Sequence, residues 1–257
     1  MSLVVLLTDF GTKDYYVGLM KGVLSGINPL LRVVDLTHEI EPQNVKQAAF
    51  VVWASRKFFP EDTIFVCVVD PGVGSEREII CGIIDGQTFL APDNGLLNYV
   101  VGEAKQSEFY KVNNRKLMLS NVSTTFHGRD VFAPVAAHLS RTARPTELGE
   151  RFRYATVKPF YTKVKAGKNN GEIVYRDRFG NLFTNFLWDD SLLSGKPGLR
   201  INSRSISNFV RTYSEGKTRT PVCVKGSSGL VEVAVNRGDA SKLVKAKVGT
   251  KIMLTMR

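Results

Sequence analysis

Thr63 to Arg77 reads TIFVCVVDPGVGSER. A short, unbroken apolar run bounded by turn formers reads as a strand covered on both faces, which is the environment of a parallel sheet interior. In open α/β sheets ligands sit in the crevice beyond the carboxyl ends of the strands. Asp70 stands at that end, in a turn held by Pro71, Gly72 and Gly74, and Arg77 follows within reach of the same crevice. Taken alone, the motif also admits a plainer reading, with Asp70 capping the turn and Arg77 a surface charge.

Upstream, Leu3 to Thr8 reads as a first strand running into TDFGTKD, after which Val17, Met20, Leu24 and Ile27 recur at helical spacing. Asp9 then lies at a strand end, where a carboxylate can accept two hydrogen bonds from a vicinal diol. Asp14 precedes the helix, as a ligand contact or a helix cap. Arg32 to Leu36 reads as a second strand and Asn44 to Phe59 as a helix built on Ala48, Val51, Val52 and Phe59, with His38 a loop or capping residue between them. Strand, helix, strand, helix, strand predicts a mostly parallel sheet with helices on both faces.

Downstream, Ile79 to Asp85 and Gln87 to Ala91 flank Asp85-Gly86, a hairpin signal. APDNGLL follows, its Asp93 and Asn94 read as turn formers. STTFHGRDVFAPVAAHL, Ser123 to Leu139, places His127 in a polar loop ahead of a helix that buries Val131, Val135 and Leu139. A histidine so placed is available to a pocket, whereas His138 lies inside the helix as a structural residue.

From Gly171 the texture changes to short β-rich runs, EIVYRD, NLFTNF, GLRIN, PVCVK, LVEVAV and KIMLTM. These predict a smaller antiparallel β-barrel-like domain whose turns RDRFGNLFTN and KGSSGLVEVAVN can present polar groups. Charge divides the same way. Residues 1–150 carry 14 basic and 17 acidic side chains, residues 151–257 carry 21 and 7, and the whole chain is +11. The expected domains are therefore 1–165, α/β, and 171–257, β, with the polar Lys165 to Gly171 stretch as connector.

The basic residues are scattered and accompany no nucleic-acid-binding motif, so they read as a solvated surface. Three cysteines without CxxC spacing indicate neither a disulfide framework nor a zinc cluster. MSLVVLL lacks a basic leader, and no run approaches a membrane span of about 18 apolar residues. A cytoplasmic protein is expected. GxGxxG after the first strand, GxxxxGK[ST] and HExxH are all absent. What remains is a pocket edged by carboxylates, an arginine and a histidine, suited to a ligand with hydroxyls and positive charge, or to a metal.

TDFGTKDYYVG, VDPGVGSER, APDNGLL, FHGRDVFAP and RDRFGNLFTN, in this order over most of the chain, resemble the S-adenosyl-L-methionine hydroxide adenosyltransferase family, relatives of the fluorinase and chlorinase that use the same substrate. The resemblance implies hydrolysis of S-adenosyl-L-methionine to adenosine and L-methionine, with water or hydroxide attacking ribose C5′ and no metal or other cofactor. It implies catalysis by Asp70, Arg77 and His127. It places Asp9 at the ribose, Asp14 toward the methionine end, and Asp177 and Asn181 at the amino acid part and the adenine, with Phe183 beside the ring in place of the fluorinase tryptophan. Ser227 matches a carboxylate-binding serine, whereas the neighbouring arginine of the fluorinase is Ser228 here. Glu232 and the backbone at Val235 to Arg237 are further candidate ribose or adenine contacts. The family also implies a homotrimer, with the ligand between the N-terminal domain of one subunit and the C-terminal domain of its neighbour.

Two other readings stay open on the residues: a divalent-metal hydrolase built on Asp9, Asp70, Asp93 and His127, and a non-catalytic nucleoside- or nucleic-acid-binding module.

Overall fold

The computed structural model describes residues 3–256, which divide between Lys158 and Pro159 into two compact units. In the first, β1 (Leu3–Thr8), α1 (Tyr16–Ile27), β2 (Arg32–Thr37), α2 (Val45–Ser55) and β3 (Ile64–Val68) alternate as the apolar periodicities predict. There follow β4 (Ile79–Ile84), β5 (Gln87–Pro92), α3 (Asn98–Val101), β6 (Ser107–Lys111), α4 (Ala133–Leu139) and β7 (Arg151–Phe152). The sheet order is β2-β1-β3-β5-β4-β6-β7. The first four strands run parallel, and β4, β6 and β7 extend them antiparallel.

All five residues of β3 are buried, as an interior strand requires. Val4, Leu6, Val66 and Val68 pack with Met20 and Leu24 of α1 and Val135 and Ala136 of α4 in one core cluster. The intervening Phe65 stacks on Phe89 and meets Phe59 edge-on. Because strand side chains alternate in direction, helices cover both faces.

Two local readings change. The helix over Asn44 to Phe59 starts on the Asn44 cap, whose side chain accepts from Gln47 N at 3.0 Å, but ends at Ser55 and tightens into a 3₁₀ turn over Arg56–Phe58. Pro60 holds Phe59 extended, at φ −111° and ψ 150°, so the α-turn cannot continue. Asp14 does not cap α1, which begins after Tyr15 with no side-chain cap.

The second unit contains β8 (Thr162–Lys163), β9 (Gly167–Arg176), β10 (Leu182–Leu187), α5 (Ser191–Ser194), β11 (Gly198–Ile201), β12 (Arg204–Ile206), β13 (Pro221–Lys225), β14 (Leu230–Val235), α6 (Ala240–Val244) and β15 (Lys251–Met256). Its strand order is β12-β11-β15-β9-β10-β14-β13, with β8 beside β10. The segment after β12 bonds back to β13, through Cys223 N to Asn208 O at 2.8 Å and Val210 N to Cys223 O at 2.9 Å. The two ends of the sheet thereby approach closure as a barrel. The polar Lys165 to Gly171 stretch is not a free connector: from Gly167 it forms the first half of β9, paired with β15.

Candidate active site

Asp70 follows the end of β3, with β1 on one side of that strand and β5 on the other. Two consecutive turns, Val73 N to Asp70 O at 3.2 Å and Ser75 N to Gly72 O at 3.0 Å, fold Arg77 back onto the carboxylate. Arg77 Nε lies 3.0 and 2.9 Å from the two Asp70 oxygens, and Nη2 also donates to Oδ2. Both side chains are largely buried, at 12% and 5% exposure. Asn94 is more than a turn former. Its Nδ2 donates to Val69 O at 2.9 Å, tying the turn after β5 to the chain just before Asp70.

His127 approaches from a different segment. Its Nδ1 stands 2.9 Å from Arg77 Nη2. A guanidinium only donates, so Nδ1 must be the acceptor and the ring is the neutral tautomer with its proton on Nε2. Burial, then the Arg77 charge, holds the His127 pKa below its usual value, although Asp70 and Asp130 pull the other way. His127 is also not a simple loop residue. It is the N-terminal flank of a π-helical turn, Gly128–Phe132, that runs directly into α4. The segments that carry Arg77 and His127 touch at Gly74, where a Cβ would lie 2.5 Å from Thr124 O, and whose φ is +79°. Glycine is required there on both counts.

A cavity of about 210 Å³ opens against this centre, lined by Asp9, Phe10, Tyr16, Asp70, Phe126 and His127 among others. Tyr16 meets Phe126 edge-on at 5.1 Å, and Phe10 lies 5.9 Å from each of them. These rings give the cavity an apolar part of its lining; they were not singled out from sequence, because aromatic residues after a strand read equally as core.

Asp9 lines the cavity, and its Oδ2 accepts from Gln43 N at 2.8 Å. Behind it, His38 is buried rather than a surface loop residue. Its ring meets Thr8 Oγ1 at 2.8 Å through Nδ1 and Asp35 Oδ1 at 3.0 Å through Nε2, while its carbonyl accepts from Gly11 N at 2.8 Å. One residue thus grips both flanks of the Asp9-Phe10 corner. Thr8, His38 and Asp35 share the order of a nucleophile triad, but Thr8 is fully enclosed and its hydroxyl also accepts from Phe10 N, which makes the set a brace. Asp14 is exposed and does not line the cavity.

In the second unit Asp177, Asn181, Phe183 and Glu232 gather around the β9–β10 turn and β14. Asp177 accepts from Asn181 N at 2.8 Å and Asn181 Nδ2 at 2.9 Å. Phe183 is the register partner of Glu232 and meets Tyr175 edge-on. Glu232 is 2% exposed and accepts from the Tyr213 hydroxyl at 2.6 Å. Burial raises its pKa, against the Tyr213 bond, and nearby Asp177 adds to the rise. Tyr213 is a partner that sequence reading missed, since no local pattern joins residues 213 and 232. Ser227 is exposed, while Ser228 is buried with its Oγ lacking a hydrogen-bond partner among the described residues.

Asp93 is exposed, and among the described residues no three His, Cys, Asp or Glu side chains gather as a metal-binding group. The four residues of the metal-hydrolase reading are therefore not drawn into a shared coordination site.

A partly parallel α/β unit with an Asp-Arg-His centre at its strand ends, followed by a β-barrel-like unit rich in polar turns, is the architecture of a two-domain protein acting on a small molecule. The models of the SAM hydroxide adenosyltransferase N-terminal and C-terminal domains match residues 4–149 and 171–253, and the chain belongs to this family. It is 35% identical to a Thermus thermophilus protein named (R)-S-adenosyl-L-methionine hydrolase, over 99% of this chain and 100% of that one. A fluorinase of an Actinoplanes species is 28% identical, over 98% and 97%. A solved structure of an uncharacterized conserved protein from Thermotoga maritima superposes with a TM-score of 0.89 at 36% identity, over 99% and 100%.

Proposed function

We propose that this protein hydrolyses S-adenosyl-L-methionine to adenosine and L-methionine, by attack of water on ribose C5′ with the methionine thioether leaving. The observation that carries the reading is that Asp70 and His127 line the cavity and are both bonded to Arg77, in a chain whose full-length relatives include a named S-adenosyl-L-methionine hydrolase. A sulfonium needs no protonation or metal to depart, so the protein has to place the attacking oxygen in line with the C5′–S bond and ease its deprotonation.

The geometry divides these tasks. With Nδ1 occupied by Arg77, His127 offers Nε2–H and can hold a water oxygen as a donor. Among the described residues Asp70 Oδ1 takes a single donor, Arg77 Nε, which leaves it lone-pair capacity for the water proton. Arg77 offsets the negative charge that grows on the oxygen. Asp9 serves the ribose hydroxyls. Asp177, Asn181, Phe183, Ser227 and Glu232 serve the adenine and amino acid parts; Asp14, exposed and outside the cavity, has the weakest structural support among the proposed contacts.

The cavity of about 210 Å³ is smaller than the roughly 300–1,000 Å³ that enclose a drug-sized ligand. This supports a site completed by a further surface, and the family resemblance makes that surface the C-terminal domain of a neighbouring subunit in a homotrimer, an assembly that light scattering would test. We further propose a cytoplasmic enzyme that needs no cofactor and binds no nucleic acid; among the described residues no helix is long and apolar enough to cross a membrane.

The test is incubation with each sulfonium epimer of S-adenosyl-L-methionine, with a chelator present, and chromatography of the products. Adenosine and methionine in equal amounts, lost in Asp70→Ala and His127→Ala, are expected. S-adenosylhomocysteine, or no turnover of either epimer, would overturn the reading.

A further inference from the structure

Directly after His127 the chain leaves the α-helical path. Gly128–Phe132 is a π-helical turn, a rare conformation that recurs at functional sites. Asp130 sits within it and is fully buried. A buried carboxylate is tolerated only when its oxygens are satisfied. Here Oδ1 accepts from Arg129 Nε at 2.6 Å, and Oδ2 accepts from Arg129 Nη2 at 3.1 Å and Ser123 N at 2.9 Å.

Each of these bonds reaches the segment that carries His127. Ser123 N binds Asp130 while Ser123 Oγ accepts from Phe126 N at 3.0 Å, and Asp130 N returns to Phe126 O at 3.2 Å. Arg129 lies over the Phe126 ring, 5.2 Å from its centroid, so the cation that pairs with Asp130 also presses on the cavity wall. Asp130 O accepts from Leu119 N at 3.0 Å, anchoring the turn to the chain behind it. At its outer edge the same segment meets the Asp70–Arg77 turn through Thr124 O and Gly74.

We propose that Asp130 is a positioning residue for this reaction: by holding Ser123 to Phe126 in register with the π-turn, it sets where the His127 ring stands against Arg77. It does not itself line the cavity, and it acts through the segment that carries His127. The kinetic part of this inference rests on the hydrolase reading; the geometric part does not.

Asp130→Asn keeps the shape and one acceptor but removes the charge that grips Arg129. Misplacement of a reacting group by about 1 Å costs on the order of 100-fold in rate, so kcat is expected to fall roughly 10- to 100-fold with KM within about threefold. The spectroscopic signature is the His127 imidazole, assigned by its loss in His127→Asn and followed by NMR as pH is varied. The charges acting on that ring are Arg77, Asp70, Asp130 and Arg115. Removing Asp130 deletes an anion that favours the imidazolium, so the His127 midpoint should move further down. In a His127→Ala background, Asp130→Asn should lower the residual rate no further.

A folded Asp130→Asn protein with wild-type kcat and an unmoved His127 resonance would overturn the proposal, as would an undiminished effect in the His127→Ala background. If Asp130→Asn does not fold, Arg129→Lys carries the test. It keeps Asp130, its Ser123 bond and the charge but loses the two-pronged grip. A several-fold fall in kcat at constant KM with a shifted His127 resonance would support the proposal, and no change in either would overturn it. Should the wild-type protein fail to cleave S-adenosyl-L-methionine, the function reading falls, and the His127 resonance alone decides whether Asp130 places the ring.

Discussion

Arg77 Nη2 donates to His127 Nδ1 at 2.9 Å while the same guanidinium grips the Asp70 carboxylate. One side chain therefore sets the distance between a carboxylate from the third strand and an imidazole from a π-turn. It also fixes the imidazole tautomer, because a permanent donor at Nδ1 leaves the proton on Nε2.

Arg77→Lys is expected to lower kcat by at least 10-fold. A lysine keeps the charge, but a single ammonium on a flexible stem cannot hold both Asp70 oxygens and Nδ1 in the fork geometry. Steady-state kinetics on S-adenosyl-L-methionine check this. Retention of most of the activity would reduce Arg77 to a general electrostatic role.

The acid limb of the pH profile should lie below 6.5. Burial and Arg77 both lower the His127 pKa, so the neutral ring persists at neutral pH and is lost only as pH falls through that depressed value. Turnover is then level around pH 7 and declines on the acid side as His127 gains a proton and Nδ1 can no longer accept from Arg77. The sign for stability is the same: the unfolded chain takes up this proton at higher pH than the folded one, so acidification through the window disfavours the fold. An acid limb centred above 6.5 in kcat/KM, the parameter that reports the free enzyme, would contradict this assignment.

The apolar part of the fold was legible because it is periodic. The unbroken run Ile64–Val68 announced an interior strand, and Val17, Met20 and Leu24 announced the buried face of α1; all of them are buried. Asp70, Arg77 and His127 were legible as groups at strand and helix ends, and the five spaced motifs supplied roles. What was not legible depends on partners far along the chain. His38 is buried by contacts to Thr8 and Asp35, Glu232 is satisfied by Tyr213, and the expected connector is strand from Gly167 onward because β15 pairs with it despite its polar composition. The π-turn escaped because one extra residue per turn leaves the burial of Val131 and Val135 compatible with an ordinary helix.

Gly74→Ala should damage both stability and turnover. Its φ of +79° disfavours any side chain, and a Cβ there would stand 2.5 Å from the Thr124 carbonyl oxygen, a backbone atom that cannot rotate away. A cost of about 1–3 kcal/mol is expected from the backbone conformation, with the His127 segment pushed from the Asp70–Arg77 turn. Thermal unfolding and kcat report the two effects separately. A variant as stable and as active as wild type would show that the contact at Gly74 does not couple the two segments.

The last prediction concerns the nucleophile, since the fluorinase relatives carry halide in their name and this chain shares their family. A halide site must offer donors to an anion without presenting a negative group to it. The cavity here presents Asp70, whose carboxylate repels chloride or fluoride but accepts a hydrogen bond from water, and the Arg77 charge is already committed to that carboxylate. Neutral His127 adds a donor suited to a water oxygen, and the apolar faces of Val68, Val73 and Phe126 offer an anion nothing in exchange for its hydration. Adenosine should therefore remain the product in concentrated chloride or fluoride, and isotopically labelled water should deliver its oxygen to C5′. Mass spectrometry of the product decides the matter: 5′-halo-5′-deoxyadenosine as the main species, or unlabelled adenosine from labelled water, would remove water as the nucleophile and with it the role drawn for Asp70.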